Sequence, residues 1–187
     1  YLQGAIKNVE LAKKIFPTWT CRFYVPLQNY EDSTGKILKK VPEDTIAKLI
    51  NLGAKIIYMD DKVSSGVCAC WRFYSIEDSD IAIFRDCDSR LSYREKYAIS
   101  EWITSDKKIH IMRDHKLHCS KIMAGMWGLK KGCIDNIRNI VNFISGKFNG
   151  GVWGFDQDFL NNFIYPRYFN YTLIHIGEPS VSLNITD

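Results

Sequence analysis

The chain has 187 residues, enough for one domain with a substantial core and short for two. Apolar residues make up 46% and charged residues 25%, which excludes a disordered chain and a disulfide-dense scaffold. The net charge of +4 comes from acidic and basic residues mixed along the chain, with no basic stripe; this argues against nucleic-acid binding and leaves a small anionic ligand compatible.

Residues 3–16 set Ile6, Val9, Leu11, Ala12 and Ile15 roughly on one helical face, and Pro17 follows the stop. This amphipathic, lysine-bearing start is not a signal peptide, and because it opens on Tyr1 the natural start is expected upstream. CRFYV at 21–25 alternates and is rich in β-formers, so it predicts a strand. NYEDSTGK is turn chemistry, and a helix follows from Pro42 to Leu52, with proline in its first turn and Gly53 as its stop. KIIYM at 55–59 reads as a strand, 66–77 as a helix, and IAIFR at 81–85 as a buried strand ending in charge. Helices are expected over 92–103, 135–145 and 156–163, and strands over 108–112 and 171–176. The alternation predicts one α/β domain with a central, mostly parallel sheet flanked by helices.

No apolar run approaches the ~20 residues that a bilayer crossing requires. The cysteines, at positions 21, 68, 70, 87, 119 and 133, show no framework spacing and read as reduced thiols in a cytosol-like compartment. The sequons at Asn170 and Asn184 carry no weight there. Five Trp, ten Tyr and ten Phe supply a core and, in part, flat rings of the kind that pack against sugar faces.

In open α/β sheets, ligands bind beyond the carboxyl ends of strands, which directs attention to the residues just after IAIF. There Asp86 and Asp88 stand at i and i+2, flanked by Arg85 and Arg90. Two carboxylates splayed at a strand end can address one hard cation, Mn²⁺ or Mg²⁺, which shares its remaining sites with water and substrate phosphates. Such an ion would neutralise a diphosphate leaving group. The competing structural reading is a solvated loop in which Arg and Asp pair.

The run FRDCDSRLSYREKYAISEWI, followed by HIMRDH and MAGMWG, resembles glycosyltransferases of the GT-A fold that carry an Asp-x-Asp motif. Within them it is most similar to domains of chloroviruses and other large DNA viruses that glycosylate the major capsid protein. The resemblance covers most of the chain, from AIKNVELAK through RFYV and WRF to GFDQDFL. Members begin with a further strand that helps to hold the nucleotide base; here it would precede Tyr1, and flanking domains are compatible. The resemblance implies a nucleoside diphosphate sugar donor (a UDP-sugar is favoured), a glycan or glycoprotein acceptor, and, for a viral protein, the host cytoplasm. It places Arg72 opposite the donor phosphates, where a guanidinium suits phosphate oxygens. Trp71 beside it reads as core. It gives Gly125, Trp127 and Gly128 of MAGMWG to the sugar pocket, against a tight turn with a buried Trp. It makes Asp156 or Asp158 of GFDQDFL the group nearest the acceptor, a base in an inverting enzyme, against simple helix capping. Spacing does not rank the two. It also offers His175 as a third metal ligand, against an ordinary strand histidine.

His115, His118 and Cys119 invite a zinc reading, but no partnering Cys-x-x-Cys exists, so His110, Arg113, Asp114 and His115 are read instead as the acceptor side of a cleft. A metal-dependent phosphohydrolase or nucleotidyltransferase acting on nucleotide sugars also gathers aspartates at strand ends, and a non-catalytic carbohydrate-binding domain would use the aromatics. Product analysis and metal-dependent donor binding separate these classes.

Overall fold

The structure, a computed structural model, describes residues 1–32, 34–115, 120–147 and 153–177. Helix α1 (Leu2–Ile15) buries Ala5, Ile6, Val9, Ala12 and Ile15, the face its apolar spacing predicts, and carries Lys13 and Lys14 in its last turn, where the helix dipole favours cations. The chain then enters β1 (Arg22–Pro26), which pairs in parallel with β4 (Lys55–Met59), Arg22 opposite Lys55. Parallel neighbours need a crossover, and α2 (Glu43–Asn51) supplies it, with Glu43 and Asp44 in its first turn. Gly53, at φ +85, takes the left-handed position beyond its end. Between β1 and α2 lies a small hairpin of β2 (Tyr30–Glu31) and β3 (Ile37–Leu38), tied by Asp32 Oδ1, which accepts from the amides of Thr34 and Lys36.

The helix expected over 66–77 divides in two. A single α turn, α3 (Ser65–Cys68), gives way to a 3₁₀ helix at Trp71–Asp78. The 3₁₀ period of three brings i and i+3 into line, and the buried residues Trp71 with Tyr74 and Phe73 with Ile76 match that spacing.

Four strands form the larger sheet, in the order β5 (Ile81–Arg85), β7 (Met126–Lys130), β6 (Ile109–Arg113), β8 (Thr172–Ile176). Within it only β6 and β8 are parallel; β7 runs antiparallel to both of its neighbours. The chain is therefore mixed α/β, and its sheets are mixed rather than one central parallel sheet. The reason is β7, which the glycine-containing MAGMWG stretch masks as a turn: no helix is described between β6 and β7, and without a crossover sequential neighbours lie antiparallel. The remaining helices are α4 (Tyr93–Thr104), α5 (Ile137–Lys147) and a run in which α6 (Phe155–Phe159) passes through one π turn at Leu160–Ile164 into α7 (Tyr165–Tyr168).

Strand alternation sorts the core onto two faces. Ala82, Phe84, Ile109, Ile111, Trp127 and Leu129 pack toward the 3₁₀ helix, α5 and α6. Phe73 sits edge-on to both Phe84 and Trp127 at 5.2 Å between ring centroids, within the range such pairs prefer. On the opposite face Ile81 and Ile83 meet α1 and α4 through Ala12, Phe16, Ile99 and Trp102. No helix among the described residues is long and apolar enough to cross a membrane.

Candidate functional site

The residues of interest collect beyond the carboxyl end of β5. Arg72, on the 3₁₀ helix, donates from Nε to the carbonyl of Ala69 at 2.8 Å, which fixes the plane of its guanidinium. Its Nη1 donates to Asp86 Oδ1, and its Nη2 to Asp156 Oδ2 at 2.8 Å. Three segments far apart in sequence thus meet on one planar cation. Burial lowers the pKa of Arg72, and the charges of Asp86 and Asp156 outweigh that effect to give a net rise. Asp156 is raised, first by burial and against the pull of Arg72.

The loop carrying the aspartates is braced from three sides. Asn8 of α1 donates to Ser89 O at 2.8 Å and accepts from the amide of Leu91. Arg85 donates to Gly125 O at 2.9 Å and to Ser89 Oγ at 3.2 Å, while its Nε lies 3.0 Å from Glu95 Oε1. Glu95 is buried on α4, and its other oxygen accepts from the amide of Ser92, so one carboxylate both caps the helix and holds Arg85. Burial raises the Glu95 pKa against the opposing charge of Arg85. Gly125 has a steric reason: a Cβ there would overlap the Asp86 carboxylate. The segment before it is splinted by the helix that carries Asp156, because Gln157 accepts from Ala124 N at 3.0 Å and donates to Ile122 O, and Asn161 accepts from Ile122 N.

Of the residues singled out from sequence, Arg72, Asp86, Gly125 and Asp156 come together, and Asp88 lies in the same loop, exposed. Asp158 is exposed on the far side of its helix from the core. Trp127 is in the core between Phe73 and Phe84, and Gly128 lets the ring of Trp102 approach β7, so both serve packing rather than lining a cleft. His175 is elsewhere: its Nδ1 is 3.0 Å from Nε2 of His110 and its Nε2 is 3.2 Å from Glu101 Oε2. β8 stands three strand spacings from β5, roughly 14 Å, which separates His175 from the aspartates. His110 is itself buried and stacked on Trp102, and Arg113 is buried with its guanidinium on Lys121 O, so neither offers an open acceptor wall. Asp114 lies 3.9 Å from Arg94. Of the zinc reading's residues, His118 and Cys119 lie outside the described residues. Cys21, Cys68, Cys70, Cys87 and Cys133 are free thiols.

The bracing residues Asn8, Glu95, Gln157 and Asn161 are not among the candidates that the sequence pattern names. Ser-x-x-Glu at 92–95 is a legible capping box, and Gln157 with Asn161 is a polar i, i+4 pair beside an apolar stripe.

Asp86 and Asp156 are two carboxylates set against one guanidinium, and the same loop carries Asp88 and Arg90, both exposed. Oxygen donors of this kind suit a hard divalent ion. Among the described residues, no three His, Cys, Asp or Glu side chains are grouped so as to hold one. The described residues therefore form no all-protein cage, and Asp86 and Asp88 are the two carboxylates that the loop after β5 presents to solvent. The chain matches no protein-family model, no curated protein and no solved structure.

Proposed function

We propose that this chain is a metal-dependent glycosyltransferase of the GT-A type. It moves a hexose or deoxyhexose from a nucleoside diphosphate sugar, with a UDP-sugar favoured, to a hydroxyl of a glycan such as that of a viral capsid glycoprotein. The observation that carries the reading is the convergence of Arg72, Asp86 and Asp156 beyond the end of β5. Asp86 and Asp88 would hold Mn²⁺ or Mg²⁺, which when bound supplies charge neutralisation for the diphosphate. Arg72 has two N–H donors, one on each carboxylate, that phosphate oxygens would take over. Asp156, partly desolvated, is the acceptor-side base: the hydroxyl oxygen bonds to the anomeric carbon, the carbon–oxygen bond to the diphosphate breaks with its electron pair, and the hydroxyl proton passes to the Asp156 carboxylate. That assignment implies inversion at the anomeric carbon.

Calorimetric titration with a panel of nucleoside diphosphate sugars, in Mn²⁺ and in chelator, tests the donor site. Binding that needs the metal and disappears in Asp88→Ala is expected. Donor binding indifferent to both metal and mutation would overturn the assignment. A product of retained configuration would remove the base role from Asp156, and release of free sugar with no acceptor dependence would make the chain a hydrolase.

A further inference from the structure

Asp86 and Asp156 are joined twice. The first link is ionic and runs through Arg72, which donates to both carboxylates. The second runs through backbone and one carboxamide. Gln157, the residue after Asp156, accepts from Ala124 N at 3.0 Å with Oε1 and donates to Ile122 O with Nε2. Ala124 leads into Gly125, which lies so close to Asp86 that an added Cβ would overlap its carboxylate. Gly125 O accepts at 2.9 Å from Arg85, the residue before Asp86. The two links close a ring that runs Asp156, Arg72, Asp86, Gly125, Ala124, Gln157.

The carboxamide half of this ring does the work of a pairing strand. Residues 121–125 precede β7 and lie outside its ladder. A primary amide presents one acceptor and a donor side by side, so it can satisfy backbone groups that a ladder leaves over. Asn161, one turn on from Gln157, accepts from Ile122 N at 3.2 Å. Tyr165, four residues further, carries the cations of Lys121 and Arg113 on its ring at 5.5 and 6.0 Å, and Arg113 donates to Lys121 O at 2.7 Å. Steps of four overshoot the 3.6-residue α turn, and the wider π turn at Leu160–Ile164 offsets that drift. Gln157, Asn161 and Tyr165 therefore stay against one segment.

The ionic half is the half that a ligand would undo. Phosphate oxygens that take over Arg72 remove the cation that Asp86 and Asp156 share, whereas the bonds of Gln157 go to backbone. We propose that Gln157, backed by Asn161, is a positioning residue that holds Asp86 in place relative to Asp156 once the donor diphosphate occupies Arg72. This rests on the donor site proposed above. A residue that acts this way changes donor affinity without touching the donor, because a shift on the order of 1 Å in a binding group can cost up to ~100-fold.

Two variants test it. Gln157→Met keeps the length of the side chain and removes both bonds. Gln157→Glu keeps an acceptor for Ala124 N and turns its second oxygen toward the Ile122 carbonyl, where only the protonated acid can donate. That carbonyl disfavours the carboxylate, so the introduced group titrates above the ordinary value of about 4.3, and the lost function returns as pH falls through its raised pKa. At pH 7.5 both variants should bind UDP with Mn²⁺ roughly tenfold or more weaker than the parent by calorimetry. Their amide NMR signals should differ from the parent at Gly125 and Asp86, but not at Ile109 and Ile111 of β6. At pH 5.0 Gln157→Glu should return to within about threefold of the parent measured at that pH, while Gln157→Met stays weak. Three results overturn the proposal. The first is parent-strength binding in Gln157→Met, which would make any loss in Gln157→Glu an effect of added charge. The second is Gly125 and Asp86 signals at parent positions in both variants, and the third is a Gln157→Glu deficit that acid does not relieve. A parent that binds no UDP with Mn²⁺ strikes the donor site itself, and the Gly125 and Asp86 signals then decide alone whether Gln157 places Asp86.

Discussion

Replacing His110 with phenylalanine would separate the acid sensitivity of this fold from its packing. His110 is 2% exposed on β6, its ring centroid 5.4 Å from that of Trp102 and its Nε2 3.0 Å from Nδ1 of His175. Burial, and after it the neighbouring His175, lowers its pKa from the usual 6.5 to about 3. The folded protein keeps this imidazole neutral across a range in which the unfolded chain takes up a proton. A depressed folded pKa contributes stability that is complete above pH 6.5 and is lost as pH falls toward 3. At pH 5 the unfolded chain is favoured by about 1.5 units of pH, or roughly 2 kcal/mol. Against a total of about 5–15 kcal/mol, that is a large share. The variant keeps a flat ring against Trp102 and deletes the titration. The groups that face His110, namely His175 and through it Glu101, stay in place, and the raised Glu95 and Asp156 cancel between the two proteins. Urea unfolding of both proteins at pH 7.5 and pH 5.0 gives the double difference, in which the parent should lose about 2 kcal/mol more than the variant. Equal losses would refute the reasoning, as would an NMR titration of His110 in the folded protein with a midpoint near its ordinary value.

Two glycines make opposite predictions. In Gly125→Ala the new methyl overlaps the end of the Asp86 side chain, which can rotate away, so stability should change by less than about 2 kcal/mol while metal-dependent donor binding falls tenfold or more; thermal melting and calorimetry on the same sample check both, and binding retained at parent strength would deny Asp86 its role. In Gly4→Ala the methyl meets the carbonyl of Cys87, which is backbone and cannot swing aside. That variant should lose about 1–3 kcal/mol by urea unfolding, and a neutral result would mean that α1 is not seated on the loop after β5.

Elements whose cause is local were legible in the sequence. The stripe of α1 and the Ser92 and Glu95 box of α4 are set by neighbours within four residues, and both helices lie where the spacing puts them. The direction of β7 was not legible, because strand direction is decided by what it pairs with across the sheet, and MWGLK carries no local mark of β5 or β6. The end of β5 drew attention to Asp86, but Glu95, Asn8 and Gln157 act over distances that no spacing rule reports.

Asp156 and Asp158 differ in a way that their spacing alone does not rank but the apolar pattern around them does. Phe155, Phe159, Leu160 and Ile164 form one buried stripe, and Asp156 stands four residues before Leu160, at the edge of that stripe. Asp158 aligns instead with Asn162, and both are exposed. A carboxylate that served only the helix dipole would gain nothing by being buried; Asp158 interacts with that dipole from solvent, without desolvation. Asp156 is held where burial raises its pKa and where Arg72 is the cation that offsets the penalty. Capping therefore accounts for Asp158, whereas Asp156 is placed by its pairing with Arg72, and the base role proposed for it would use that placement.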